Sequence, residues 1–224
     1  MNYLLVHGAA NGPWVFDGWE DDLQAPCIVV DLRPVVGPRT AMTHYAAEIA
    51  SYAADFSEPP VIVGWSLGGL AAFMATRLVR FAAVVALEPS APAEVVGKKP
   101  DWPLREGLYD AETYGIRYDA PPPAGLTEVE WLTVVAQSYG ATESRYARHE
   151  RVRGIYVAPI EAPLLVVHGD VESYAEERGP RVAQALGGES LVIPGASHWA
   201  LVVGEQFRKQ VRGGIVHWGE RRLP

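Results

Sequence analysis

A single hydroxyl stands among glycines in VIVGWSLGGLAAF, residues 61–73, where an apolar run that reads as a strand passes into a segment of helical spacing. GWSLGG fits GxSxG, a turn so tight that its flanks tolerate only glycine, and it leaves Ser66 exposed at the carboxyl edge of a strand. The helix that starts behind Ser66 aims its dipole and its first N–H groups at charge developing beside the hydroxyl. A serine hydroxyl is a weak nucleophile, so it needs a base, and the base needs an acid to orient it. Among six histidines, His198 in IPGASHWALVV follows the last strand-like run and precedes a C-terminal helix. It can reach the same sheet edge as Ser66 and is the expected base. His7 and His168 each end a strand in an HG pair, where a ring bonded to neighbouring backbone is the commoner arrangement. His44, His149 and His217 fall in helical or terminal segments and are expected on the surface or in packing. Three carboxylates remain open as the acid: Asp170 and Glu172 in the loop after PLLVVHG, and Glu88 at the end of the strand in ALEPS.

These residues need a sheet to carry them. Short apolar runs recur at 3–6, 27–31, 61–64, 82–88, 163–169 and 190–195, near-continuous rather than alternating, as strands buried on both faces of a parallel sheet should be. Helical spacing lies between them at 40–56, 66–80 and 173–187, the last around a Gly179-Pro180 break. Strand and helix in alternation predict an open α/β sheet of about six strands with helices on both faces. Residues 91–160 interrupt the rhythm with Pro100, Pro103 and Pro121 to Pro123 and two helical segments, one opened by a capping box from Thr127 to Glu130. No strand-like run stands out there before GIYVAPI. A core domain of 1–90 and 161–224 with a helical cap at 91–160 is expected.

The composition excludes several alternatives. Its 49% hydrophobic and 21% charged residues are those of an ordinary globular protein, and 224 residues suffice for one domain with a sizeable core. A net charge of -8 offers no basic stripe for phosphates, so neither nucleic acid nor anionic lipid is an expected partner. Cys27, the one cysteine, lies in CIVV and is expected as a buried reduced thiol. Met1 runs straight into YLLV without the basic and apolar regions of a signal peptide, and no apolar run approaches 18 residues, so a cytoplasmic protein is expected.

Taken in order, VHGAANGPW (6–14), GWSLGG, HGDVE and GASHW resemble the α/β-hydrolase superfamily and its small serine carboxylesterases. The resemblance implies Ser66 as nucleophile and His198 as base. It places the acid three residues after the glycine of the HG pair, at Glu172, where the family more often has Asp. Asp170 remains a rival, and Glu88 another, because a minority of relatives carry the acid after the earlier strand. The backbone N–H groups of Ala9 and Leu67 would form the oxyanion hole, and Trp65, where the family often has His, would line the acyl pocket. The implied activity is hydrolysis of a small carboxylic ester through an acyl-enzyme, without metal or organic cofactor. Thioesterase, lactonase, C–C hydrolase and cofactor-free perhydrolase activities share the triad, and a ligand-binding receptor on the same scaffold is the alternative of another class. Epoxide hydrolases and haloalkane dehalogenases use an aspartate where Ser66 stands. Hydroxynitrile lyases carry Thr at the Gly8 position and Lys at the Trp199 position, and neither matches. The partner implied is a small-molecule ester.

Overall fold

The computed structural model describes residues 2–223. Six parallel strands form the sheet: β1 (Tyr3–Val6), β2 (Cys27–Val30), β3 (Val61–Trp65), β4 (Ala83–Leu87), β7 (Leu164–His168) and β8 (Glu189–Val192), in the spatial order β2-β1-β3-β4-β7-β8. The helices between them are α1 (Trp19–Leu23), α2 (Met42–Ala53), α3 (Leu67–Ala75), α7 (Ala175–Arg178) and α8 (Pro180–Leu186), and α9 (Glu205–Arg222) follows the last strand. Gly179 separates α7 from α8, at the break expected from Gly179-Pro180.

Strand residues alternate between two cores. Leu4, Val6, Ile62, Val84 and Val166 pack with α2, α3 and α8 on one face. Leu5, Val63, Val85, Leu87 and Val167 pack with Trp19 of α1 and Phe207, Val211 and Ile215 of α9 on the other. Burial on both faces is why β1, β3, β4 and β7 are apolar without alternation. The edge strands differ. In β2 and β8 alternate residues are partly open, Ile28 and Val192 are exposed, and Cys27 is half-buried rather than buried. Its thiol gives a hydrogen bond to the Ala25 carbonyl, and burial together with the Glu20 charge pushes its pKa up to about 11.

Residues 91–160 fill the crossover from β4 to β7. They hold α4 (Ala93–Val96), β5 (Leu108–Asp110), α5 (Glu128–Gln137), β6 (Thr142–Ser144) and α6 (Arg145–Arg153). The expected capping box is present, with the Glu130 N–H donating to Thr127 Oγ1 and the Thr127 N–H to Glu130 Oε2. Two features depart from expectation. β5 and β6 form a short antiparallel ribbon, and GIYVAPI is not a strand. The Val157 and Ala158 amides donate to Glu94 Oε1 and Pro159 has none to give, so this stretch has no ladder to join. Trp131, Val134, Ile116 and Ala111 of this region pack as a third apolar cluster against Ala10, Trp14 and Trp199, above the carboxyl ends of the sheet.

Candidate active site

The chain runs from β1 out to β2 and then crosses to β3 on the other side of β1, so strand order reverses between β1 and β3. Ligand crevices in open α/β sheets form outside the carboxyl ends of strands at such a point. His7-Gly8 leaves β1 there and Ser66 leaves β3.

Ser66 has φ 56° and ψ −116°, a conformation that costs a residue with a side chain on the order of 1–3 kcal/mol. Its surroundings hold it. The Ser66 N–H donates to the Leu87 carbonyl, and its own carbonyl accepts from the amides of Gly69, Leu70 and Ser90. The turn also demands close approach: a Cβ on Gly68 would run into the carbonyls of Val6 and His7, and one on Gly64 into the carbonyl of Gly68. Helix α3 can therefore begin directly behind the serine.

His198 stands on the loop between β8 and α9, its side chain 12% exposed. Its carbonyl accepts from the Trp65 indole at 3.1 Å, and the two rings lie 4.9 Å apart, so Trp65 walls the His198 ring. The carboxylate on the imidazole is Glu88. Fully buried, it takes Nδ1–H of His198 on Oε2 at 2.8 Å and the Gly169 N–H on Oε1 at 2.8 Å. Burial alone would raise the Glu88 carboxyl, but the hydrogen bond and charge of His198 and the Gly169 amide outweigh it, and its pKa lies below the ordinary value. An ionised Glu88 can only accept, so the imidazole proton sits on Nδ1 and Nε2 keeps a lone pair. Burial lowers the His198 pKa against the opposing pull of Glu88, which leaves the ring neutral at neutral pH.

Glu172, expected against this ring, is not there. Its Oε1 accepts the backbone N–H of His198 at 2.8 Å, and its Oε2 is buried with no partner among the described residues. Burial, and then the charge of Glu88, raise its pKa. Glu88 has the reach that Glu172 lacks: it ends the strand beside β7, its N–H donating to the Val167 carbonyl, and at φ 37° its side chain is thrown across to the ring. Asp170 points elsewhere, accepting the Gly195 amide. A lone carboxylate closing the apolar run AAVVAL was the available signal for Glu88.

Buried His7 is held neutral, its pKa lowered to about 4 chiefly by burial. Its Nε2 accepts the Leu32 amide, so Nδ1–H donates to the Gly8 carbonyl at 2.8 Å. Because a trans peptide opposes its C=O and N–H, this bond turns the Ala9 N–H away from His7. Neither that amide nor the one of Leu67 at the first position of α3 finds an acceptor among the described residues. Asn11 Nδ2 fixes the Ala9 carbonyl at 2.9 Å.

Ala9, Trp65, Ser66, Glu172, His198 and Trp199 line one cavity of about 380 Å³, roofed by Tyr114, Ile116 and Trp131 of residues 91–160. Tyr174, Arg178 and Arg151 also face it, and the sequence alone did not single out either arginine. Among the described residues no group of three His, Cys, Asp or Glu could hold a metal ion, and no helix is long and apolar enough to cross a membrane.

The chain belongs to the alpha/beta hydrolase family, whose model matches residues 3–210. Solved structures share its fold at low identity. A thermophilic esterase from Thermogutta terrifontis, with malate bound, is 18% identical with a TM-score of 0.74, covering 100% of this chain and 91% of that one. A monoacylglycerol lipase from Paleococcus ferrophilus is 20% identical with a TM-score of 0.66, covering 97% and 93%. The thioesterase of the prodiginine biosynthetic pathway in Streptomyces coelicolor is 14% identical with a TM-score of 0.65, covering 96% and 84%. A comparison with curated protein sequences finds no match.

Proposed function

We propose that this protein is a serine hydrolase that cleaves a small carboxylic ester through an acyl-enzyme, with Ser66, His198 and Glu88 as the triad. The observation that carries the reading is the buried Glu88 carboxylate on Nδ1 of His198, in a cavity that also holds Ser66 on its strained turn. Nε2 of His198 takes the Ser66 proton as Oγ bonds to the ester carbonyl carbon, and the carbonyl π electrons move to oxygen. The amides of Leu67 and Ala9 bind that oxyanion, each donor worth about 3 kcal/mol in the transition state. Collapse breaks the bond to the alcohol oxygen, which receives the proton from His198 and leaves. Water then gives its proton to Nε2 and attacks the acyl carbon, and the second collapse returns the proton to Ser66 Oγ and frees the acid. Glu88 stays ionised throughout and offsets the imidazolium charge. Glu172 holds the His198 backbone, Trp65 walls the acyl pocket, and residues 91–160 act as the lid.

Solved esterases, a lipase and a thioesterase of the same fold agree with an ester or thioester as the bond cleaved. A fluorophosphonate probe tests the reading: wild type is expected to be labelled covalently and to hydrolyse p-nitrophenyl acetate, and Ser66→Ala to do neither. An unlabelled wild type that still bound small esters would support a receptor instead.

A further inference from the structure

The cavity contains two guanidinium groups for which ester cleavage has no use. Arg178, the last residue of α7, lies 4.3 Å over the ring of Tyr174, and Tyr174 stands edge-on to His198 with ring centroids 6.1 Å apart. The five N–H donors of Arg178 have no hydrogen-bond or ion-pair partner among the described residues, and the carboxylates of Glu88 and Glu177 act on it only through space. Carboxylates are near, but none bonds it: Glu88 spends one oxygen on His198 and the other on the Gly169 amide, and Glu172 accepts the His198 amide on Oε1 while its Oε2 has no partner among the described residues. Arg151 of α6 lines the same cavity, its Nη1 on Ser90 Oγ at 3.2 Å and its Nη2 on Tyr114 Oη at 3.4 Å, with Glu143 3.8 Å away. The two arginines are close enough for their charges to oppose one another, and burial lowers the pKa of Arg178. A stacked, half-buried fork with its donors unspent is an arrangement suited to bidentate capture of an oxyanion.

Resting on the hydrolase reading above, we propose that Arg178, backed by Arg151, forms an anion subsite that selects esters carrying a carboxylate a few atoms from the scissile carbonyl. A singly charged carboxylate fits better than a dianionic phosphate, because Glu172 on the cavity wall and the buried Glu88 behind His198 repel a second negative charge. In a chain of net charge -8, two arginines meeting in one cavity give an acidic substrate a local attraction that the surface does not.

Two matched pairs of esters test this. p-Nitrophenyl hemiglutarate against p-nitrophenyl valerate puts the charge on the acyl side, and 4-carboxyphenyl acetate against phenyl acetate puts it on the leaving group. In one pair the charged-to-neutral ratio of kcat/KM is expected to fall at least tenfold in Arg178→Gln, less in Arg151→Gln, and to recover in part in Arg178→Lys. Arg181→Gln, whose guanidinium reaches the Val95 carbonyl outside the cavity, should leave the ratio unchanged. Ratios unmoved by Arg178→Gln in both pairs, with neutral esters still turned over and Ser66 still labelled, would overturn the subsite and leave the hydrolase reading standing. Tighter competitive inhibition by inorganic phosphate than by glutarate would overturn the choice of carboxylate. Absence of labelling and of all turnover would remove the hydrolase reading and the subsite with it.

Discussion

Two glutamates stand at the carboxyl ends of neighbouring strands, and the structure uses them differently. Glu88 after β4 is fully buried with both oxygens bonded, one to the His198 ring and one to Gly169, and its pKa lies below the ordinary value. Glu172 after β7 is only partly buried, bonds the backbone of His198 with one oxygen, leaves the other without a partner among the described residues, and has a raised pKa. A carboxylate is fitted to orient an imidazole by its hydrogen-bond environment and not by its distance along the chain. Glu88 is 110 residues from His198 and Glu172 only 26.

Glu88→Gln should lower kcat for p-nitrophenyl acetate by about 10³–10⁴-fold with the fold retained, because an amide in that place favours the wrong imidazole tautomer. Glu172→Gln should stay within about tenfold, since an amide oxygen can still accept the His198 N–H. Gly68→Ala, whose Cβ meets the Val6 and His7 carbonyls, should cost about 1–3 kcal/mol in denaturant unfolding and lower activity with it.

Smaller effects are read through pH. Burial lowers the His198 pKa below 6.5, so kcat/KM should hold into mildly acidic solution and fall only as pH drops through that lowered value. Glu88 opposes the shift, so the residual activity of Glu88→Gln should lose its acid limb at still lower pH, while Glu172→Gln should leave the limb in place. The smallest effect is on stability. A carboxyl with a raised folded pKa binds its proton more tightly when folded, so the Glu172 contribution is favourable below about 4.5 and is lost as pH rises through the folded value. Solvent screening keeps this under about 1 kcal/mol. Thermal unfolding of Glu172→Gln should therefore show a slightly flatter decline in stability from pH 4 to 7 than wild type.

Much of this architecture is legible in the residues. The six strand runs, the turn around Ser66 and the His198 loop all announce themselves, because burial on two faces and tight glycine turns leave strong marks in sequence. The acid does not. Glu88, Asp170 and Glu172 are each a carboxylate at a strand end, and only the register of β4 on β7 and the positive φ of Glu88 decide which one meets the ring. The ribbon of β5 and β6 is hidden for another reason: three-residue strands such as LYD and TES carry no period to read. Arg178 reads as an ordinary charge in SYAEER, and its place in the cavity follows from the Gly179 break that turns α7 from α8.

The central claim is the pairing of Glu88 with the imidazole of His198, and the ring proton itself reports it. In wild-type protein the Nδ1–H of His198 should give a strongly deshielded proton resonance, retained in Glu172→Gln and lost in Glu88→Gln and His198→Ala. A resonance that survives in Glu88→Gln and disappears in Glu172→Gln would contradict it.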